Sequence, residues 1–307
     1  MKLEDLGEGG FIRKIRERFK AAVVVPIGDD AAVFDIPSGH SLVFCSDLLA
    51  ENSHFICNLH PPDSIGYKSV AVNVSDVGAM GGTPLHFLIS FAAPGDLDVA
   101  WVDSFFDGVA KACADFDISL IGGDSSSSDR IFLDVSMIGT VPSGKAVRRS
   151  GAKSGDSIYV TGQLGGSALG LECLKSRDLK NRAVRRHLYP QPRHKVGAAL
   201  RERVHAMIDI SDGLSTDLTH IVEESKVSAR IYKDRLPGWP DAASNHILHG
   251  GEEYELIAVS SQDLAEVVMN VPLRRIGEII DSGFENRVFL IDGAQESVLR
   301  PQGWQHF

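Results

Sequence analysis

Apolar residues recur along this chain with two spacings, every third or fourth position in some stretches and short runs in others, as a mixture of helices and strands requires. Phe11, Ile12, Ile15 and Phe19 stand at helical spacing among Arg13, Lys14, Arg16 and Arg18, which predicts a short amphipathic helix. Apolar runs at 23–27 and 31–36 predict strands on either side of Gly28-Asp29-Asp30. The turn residues Pro37-Ser38-Gly39 lead into a strand at 41–45 that delivers Ser46 and Asp47 at its end. A long helix starts at Asp63, with Ile65, Val70, Val74, Val77 and Met80 inward and Asn73 and Asp76 on one face. It stops at Gly81-Gly82-Thr83-Pro84, and a strand at 85–92, a helix at 99–116 and a strand at 118–121 follow. Gly122-Gly123-Asp124 and four serines break that strand, and a strand at 131–141 closes the N-terminal half.

The polar, Gly-rich stretch 142–156 reads as a connection, which divides the chain into domains at 1–142 and 143–307. Strands at 157–161, 206–210, 254–259 and 275–280 alternate with helices after Gly165-Gly166 and at 214–224, and a hairpin around Asp292-Gly293 ends the series. The fold class is α/β, mixed α+β, in two domains.

The 307 residues are 43% hydrophobic and 23% charged, the composition of a globular protein. A formal net charge of −10 argues against nucleic acid as a partner, though not against a phosphorylated ligand held through cations. No run approaches ~18 uncharged apolar residues and the N-terminus lacks a signal-peptide core, so a cytoplasmic protein without a membrane partner is expected. Cys45, Cys57, Cys113 and Cys173 follow no metal-ligand spacing and read as reduced thiols.

Acids recur beside strands or glycines, at Asp29-Asp30, Asp47, Asp76, Asp124, Asp209-Ile210-Ser211-Asp212 and Glu252-Glu253, with almost no basic residue near them in sequence. One Asp-Gly or Ser-Asp is usually a turn or cap, but six such motifs in apolar settings need neutralising, and hard divalent cations do that. Gly139 to Lys145 matches a phosphate-binding loop as far as its lysine, but Ala146 replaces the metal-binding hydroxyl, so it reads as a strand end and turn. Dinucleotide, protein-kinase, nucleophile-elbow and zinc patterns are absent.

Gly28-Asp29-Asp30, Ser46-Asp47, Asn52-Ser53-His54-Phe55, Asn73-Val74-Ser75-Asp76, Gly122-Gly123-Asp124, Arg149-Ser150-Gly151, Asp209-Ile210-Ser211-Asp212-Gly213, Gly250-Gly251-Glu252 and the terminal Gly303-Trp304-Gln305-His306-Phe307 occur in one order. Together they resemble the thiamine-monophosphate kinase family, in the superfamily of aminoimidazole ribonucleotide synthetase. The resemblance covers almost the whole chain. It implies transfer of the γ-phosphoryl group of ATP to thiamine monophosphate with Mg2+, and a homodimer joined through N-terminal strands. By the same resemblance Asp30, Ser46, Asp47, Asp76, Asp124, Asp209 and Asp212 are metal ligands, and Asp30, Asp212 and Arg149 are catalytic. Phe106, Gly123, Asp124, Arg149 and Ser211 face the nucleotide, and His54, Glu252 and Trp304 face thiamine monophosphate.

Two positions depart from the family pattern. Cys45 stands where a hydroxyl residue is usual, and Glu253 where Asp is. The alternatives are another ATP-dependent enzyme of the superfamily and a non-catalytic nucleotide or thiamine-phosphate binding protein. The Asn-Ser-His-Phe and Gly-Trp-Gln-His-Phe segments argue against the former, and the full set of aspartates against the latter.

Overall fold

A computed structural model describes residues 1–28, 30–281, 283 and 285–304. Asp29 and Gln305-His306-Phe307, which belong to the recognised motifs, lie outside them. The chain divides into two compact units, Met1–Val77 with Thr83–Ser143 and Gly78–Gly82 with Gly144–Phe307.

The first unit contains α1 (Leu3–Arg18), β1 (His40–Ala50), α2 (Pro62–Ala79), β2 (Thr83–Ala93), α3 (Val99–Phe116), β3 (Ser119–Ser127) and β4 (Phe132–Pro142). Its sheet runs β1-β4-β2-β3, antiparallel except for the parallel β2–β3 pair. Alternation along β4 explains the layering. Leu133, Val135 and Met137 are fully buried, while Phe132, Asp134, Ser136 and Ile138 are only half-buried. On the buried side Phe91 of β2 packs on Phe105 of α3 with ring centroids 5.6 Å apart, and Tyr67 of α2 packs on Phe116 at 5.5 Å.

Three local expectations change. The runs at 23–27 and 31–36 form no ladder, only a Val25–Val33 backbone pair with two 3.0 Å hydrogen bonds and Gly28 and Asp30 at the tip. Pro26 has no N–H to donate, and Val24 and Val33 stay exposed, so no burial rewards a longer strand. β1 continues to Ala50 because β4 pairs with it from His40 to Ala50, which puts Ser46 and Asp47 within the strand rather than at its end. β3 likewise runs through Gly122-Gly123-Asp124 to Ser127, since pairing with β2 overrides the weak strand preference of glycine and serine.

The second unit contains β5 (Ser157–Thr161), α4 (Gly166–Lys175), α5 (Arg182–Leu188), α6 (His194–Leu200), β6 (Ala206–Asp209), α7 (Leu214–Ser225), β7 (Ser228–Tyr232), α8 (Ser244–His249), β8 (Leu256–Ser260), β9 (Val267–Val268), β10 (Val271–Ile280), β11 (Val288–Asp292) and β12 (Gln295–Val298). Its sheet order is β12-β11-β7-β10-β5-β8-β6, with β9 pairing β10. Strands β5, β6 and β8 are buried along their whole length because both faces are covered. Ile158, Ile208 and Ile257 pack with Leu214 and Leu218 of α7 on one side, while Tyr159, Met207 and Leu256 pack with Val196 and Leu200 of α6 on the other. The phosphate-loop look-alike is the end of β4 followed by a turn at Ser143-Gly144. Among the described residues no helix is long and apolar enough to cross a membrane.

Candidate active site

In the first unit the sheet register sets the polar groups in rows. Leu48, Asp134, Ser90 and Asp124 are successive cross-strand partners, and Ser46 stands opposite Ser136. The Ser46 hydroxyl donates to Asp134 Oδ1 at 2.8 Å, and the Ser136 hydroxyl donates to Asp134 Oδ2 at 3.3 Å. Asp47 is one residue out of phase with Ser46, so it leaves the sheet on the other face. Burial pushes its carboxyl above the ordinary range, opposed by a hydrogen bond with Asp76 of α2 and reinforced by the charge of Asp134. Two carboxyl groups in hydrogen-bond contact must share a proton or a cation. Cys45, in phase with Asp47, directs its thiol toward the Asn73 carbonyl and side-chain oxygens of α2, 3.6 Å from each.

A cavity of about 900 Å3 lies within this unit, walled by Asp30, Gly123, Asp124 and Phe106 together with Phe34 and Phe44. Gly123 has φ +154°, and a Cβ there would meet the Ile89 carbonyl oxygen at 1.9 Å, so only glycine fits and its backbone is left bare for a ligand. Phe106 is 3% exposed and packs among Phe11, Phe19, Phe91 and Phe105, so it shapes the wall as part of the core. Folding also brings a base that sequence distance hid. The Arg16 guanidinium of α1 lies so near Gly28 that a Cβ there would meet it at 2.6 Å. His54 accepts the Ala50 N–H at Nδ1, 3.0 Å away, which puts the neutral ring's proton on Nε2, the donor a phosphate oxygen needs.

In the second unit, β6 ends at Asp209 and the chain turns through Ser211, Asp212 and Gly213 into α7. Two other segments close on this loop. The Glu252 N–H donates to the Ser211 carbonyl at 2.7 Å, and the Glu253 and Tyr254 N–H groups donate to the Ile210 carbonyl at 3.1 and 2.8 Å. The Trp304 N–H donates to the Asp212 carbonyl at 3.2 Å, and a Cβ at Gly303 would meet that carbonyl oxygen at 2.0 Å. The Glu252 carboxylate lies 3.4 Å from Nδ1 of the buried His187. Glu252 has φ 60°, a strained setting for a residue with a side chain. Arg149 lies next to Arg148, whose carbonyl accepts the Met207 N–H of β6 at 3.1 Å, and its own side chain makes no hydrogen bond or ion pair among the described residues.

Sequence reading missed two acids. Asp134 was hidden because a lone Asp in an alternating strand reads as a solvent-facing position. Asp217 of α7 accepts the Asp212 and Gly213 N–H groups at 3.1 and 3.0 Å through Oδ2, fixing the loop from behind. Burial first, then the charges of Asp209 and Asp212, hold its carboxyl well above the ordinary range. Asp212, Asp217 and His220 offer ligand atoms within 4.8 Å of one another. The i, i+5 spacing of Asp212 and Asp217 at a helix start was the available signal.

Family models for AIR synthase related protein match this chain, the N-terminal domain at residues 28–141 and the C-terminal domain at 153–287. Thiamine-monophosphate kinase of Escherichia coli K12 is 38% identical over 98% of both chains, and that of Bacillus subtilis 34% over 94% of both. The crystal structure of thiamine-monophosphate kinase from Stenotrophomonas maltophilia K279a superposes with a TM-score of 0.82 at 32% identity, covering 92% of this chain and 95% of that one. A structure of AaThiL complexed with AMPPCP and TMP superposes at 0.79 with 33% identity, covering 100% and 99%. Hydrogenase maturation protein HypE shares the fold alone, at 21% identity and a TM-score of 0.81. Matched by both domain models and by these kinases along nearly its whole length, the chain belongs to the thiamine-monophosphate kinase family.

Proposed function

We propose that this chain transfers the γ-phosphoryl group of ATP to thiamine monophosphate, giving thiamine diphosphate and ADP. The observation that carries this reading is the docking of Gly303-Trp304 onto the loop of Ser211 and Asp212, beside Glu252. An acceptor monoester is largely dianionic at neutral pH, its second pKa being about 6, so no strong base is required. An acceptor oxygen attacks the γ-phosphorus while the bond to the ADP oxygen breaks. The obstacle is repulsion between two polyanions.

The donor set fits a hard cation, since every ligand the family resemblance assigns is an oxygen donor and Asp47 and Asp76 already crowd together. Asp30, Ser46, Asp47, Asp76 and Asp124 would hold Mg2+ in the first unit, and Asp209 and Asp212 in the second. Bound Mg2+ supplies the charge that offsets phosphate repulsion. By the family resemblance the nucleotide contacts are the bare Gly123 backbone in the first unit, with Phe106 supporting the wall there, and Ser211 and Arg149 in the second. The Arg149 fork suits phosphate oxygens. Glu252 hydrogen-bonds the aminopyrimidine, Trp304 faces the aromatic cation, and His54 donates through Nε2 to the monophosphate.

The open edge of β1 is read as the joint with a second copy of this chain. Leu42, Phe44 and Leu48 are 50%, 67% and 53% exposed on one face of an eleven-residue strand whose other edge alone is paired among the described residues. Sedimentation velocity should give a dimer, and a fully active monomer would overturn that assembly. The activity itself is tested by ADP release. Release that requires both thiamine monophosphate and Mg2+ is expected, and none under those conditions would leave only a binding protein.

A further inference from the structure

The second unit contains a larger cavity, of about 1240 Å3, that none of the residues discussed so far as catalytic, metal-binding or substrate-binding lines. Its walls come from β5 and the residues just after it, the helix α5, Arg193 ahead of α6, the segments 234–239 and 263–267, and the strand β10. On the floor sits Glu255, 1% exposed, with both carboxylate oxygens filled. Oε1 accepts from Arg186 Nη2 at 2.8 Å and Arg193 Nη2 at 2.7 Å, and Oε2 accepts from Arg193 Nε at 2.7 Å and the Thr161 hydroxyl at 2.6 Å. Two guanidinium groups on one saturated carboxylate leave a positive charge uncancelled. Glu253, 3.5 Å from Arg186, offsets only part of it near neutral pH, since burial lifts its pKa to about 7.

The mouth adds Arg235, Arg274 and Arg275, all exposed and all without a hydrogen bond or ion pair from their side chains among the described residues. Arg235 lies over the Tyr232 ring, its Cζ 4.1 Å from the centroid, a cation–π contact that helps hold the side chain in place. Five arginines line the cavity against four carboxylates, Asp234, Glu255, Asp263 and Glu266, and only Glu255 is buried. Leu236, Pro237, Trp239 and Leu273 supply apolar wall beside this charge. Forked donors next to a flat aromatic surface suit a phosphate-bearing molecule with a ring.

We propose that this cavity is a second, non-catalytic binding site for an organic diphosphate, whose phosphates meet Arg193, Arg235, Arg274 and Arg275 and whose ring lies along Trp239. The test is calorimetry on the whole protein in EDTA, where the acids of the candidate active site repel an anion that no cation bridges. Inorganic pyrophosphate probes the charge alone, and thiamine diphosphate, a choice that rests on the kinase reading, adds a ring. Saturable binding of one pyrophosphate per chain is expected, with thiamine diphosphate several-fold tighter. The triple variant Arg235→Ala/Arg274→Ala/Arg275→Ala, confined to exposed side chains, should weaken both by roughly tenfold or more, as lost charge-assisted hydrogen bonds require. Its kcat and KM for the kinase reaction with Mg2+ should match the parent's. No saturable pyrophosphate binding at millimolar concentration overturns the proposal, as does a triple variant that binds as tightly as the parent. Failure of the kinase assay in both proteins would count against the kinase reading and leave the pyrophosphate result standing.

Discussion

The acids of the first unit and those of the second are held by opposite means. Ser46, Asp47, Asp124 and Asp134 ride on ladder strands, where sheet register alone fixes their spacing, and Asp47 is left against the carboxyl of Asp76 and the charge of Asp134. Asp209 and Asp212 sit at a strand end and on a loop whose N–H and carbonyl groups are claimed by Asp217, by the 252–254 segment and by Trp304. Ladder-borne acids need a cation to relieve them, whereas the loop is preset by backbone hydrogen bonds before any ligand arrives. The first arrangement depends on charge and the second on shape.

The sharpest break in that contrast would come from charge. Asp30→Asn, Asp76→Asn and Asp212→Asn should each keep the far-ultraviolet circular dichroism of the parent while lowering kcat by about a hundredfold or more. Near-normal turnover at saturating Mg2+ in all three would remove the metal reading from both units. Next comes the latch. Asp217→Ala frees two backbone N–H groups, which should cost about 2–4 kcal/mol in stability and lower kcat/KM along with it. Ser46→Ala, on the ladder, should leave the melting temperature nearly unchanged. Equal melting temperatures for the two variants would erase the distinction between loop and ladder.

A smaller effect is expected at the tail. Trp304→Ala should raise the KM for thiamine monophosphate roughly tenfold with little change for ATP, and Gly303→Ala should do the same because its Cβ displaces the segment from Asp212. A Gly303→Ala enzyme with the parent's KM would show that the Asp212 contact does not position the indole. The smallest effect separates buried charge from surface charge. Burial holds Glu253 at a pKa of about 7, above its ordinary 4.5, so the folded protein binds its proton more tightly than the unfolded chain does. Stability should therefore fall as pH rises from about 4.5 to about 7 and level off beyond. In Glu253→Gln that part of the decline should vanish, which melts in denaturant between pH 5 and pH 8 would read. Parallel curves for parent and variant would assign the decline to other groups.

How much was legible follows from which forces are local. The helix at 99–116 and the strand at 157–161 were read to the residue, because long amphipathic periodicity and a β-rich run flanked by turn residues carry their own signal. The acids were found as motifs, each beside a glycine or a strand. What could not be read was continuity. Whether glycine and serine end a strand at 122 or carry it to Ser127 depends on β2 lying alongside, and whether 23–27 forms a strand depends on a neighbour that is not there among the described residues.

The chain by itself therefore carried the signals of its long helices, of several buried strands, of its family and of most of the candidate oxygen donors, since these rest on periodicity and on the order of short motifs. Tertiary structure alone decided which groups meet. It set Asp134 between Ser46 and Ser136 by sheet register, Asp217 behind Asp212 by a helix turn, and Trp304 on a loop some ninety positions earlier by one backbone hydrogen bond. It also put two arginines on a single buried glutamate, 69 and 62 residues away in sequence. Such pairings leave no mark in local sequence, because register and long-range hydrogen bonds are settled by what else must be buried, and no short window of residues contains that information.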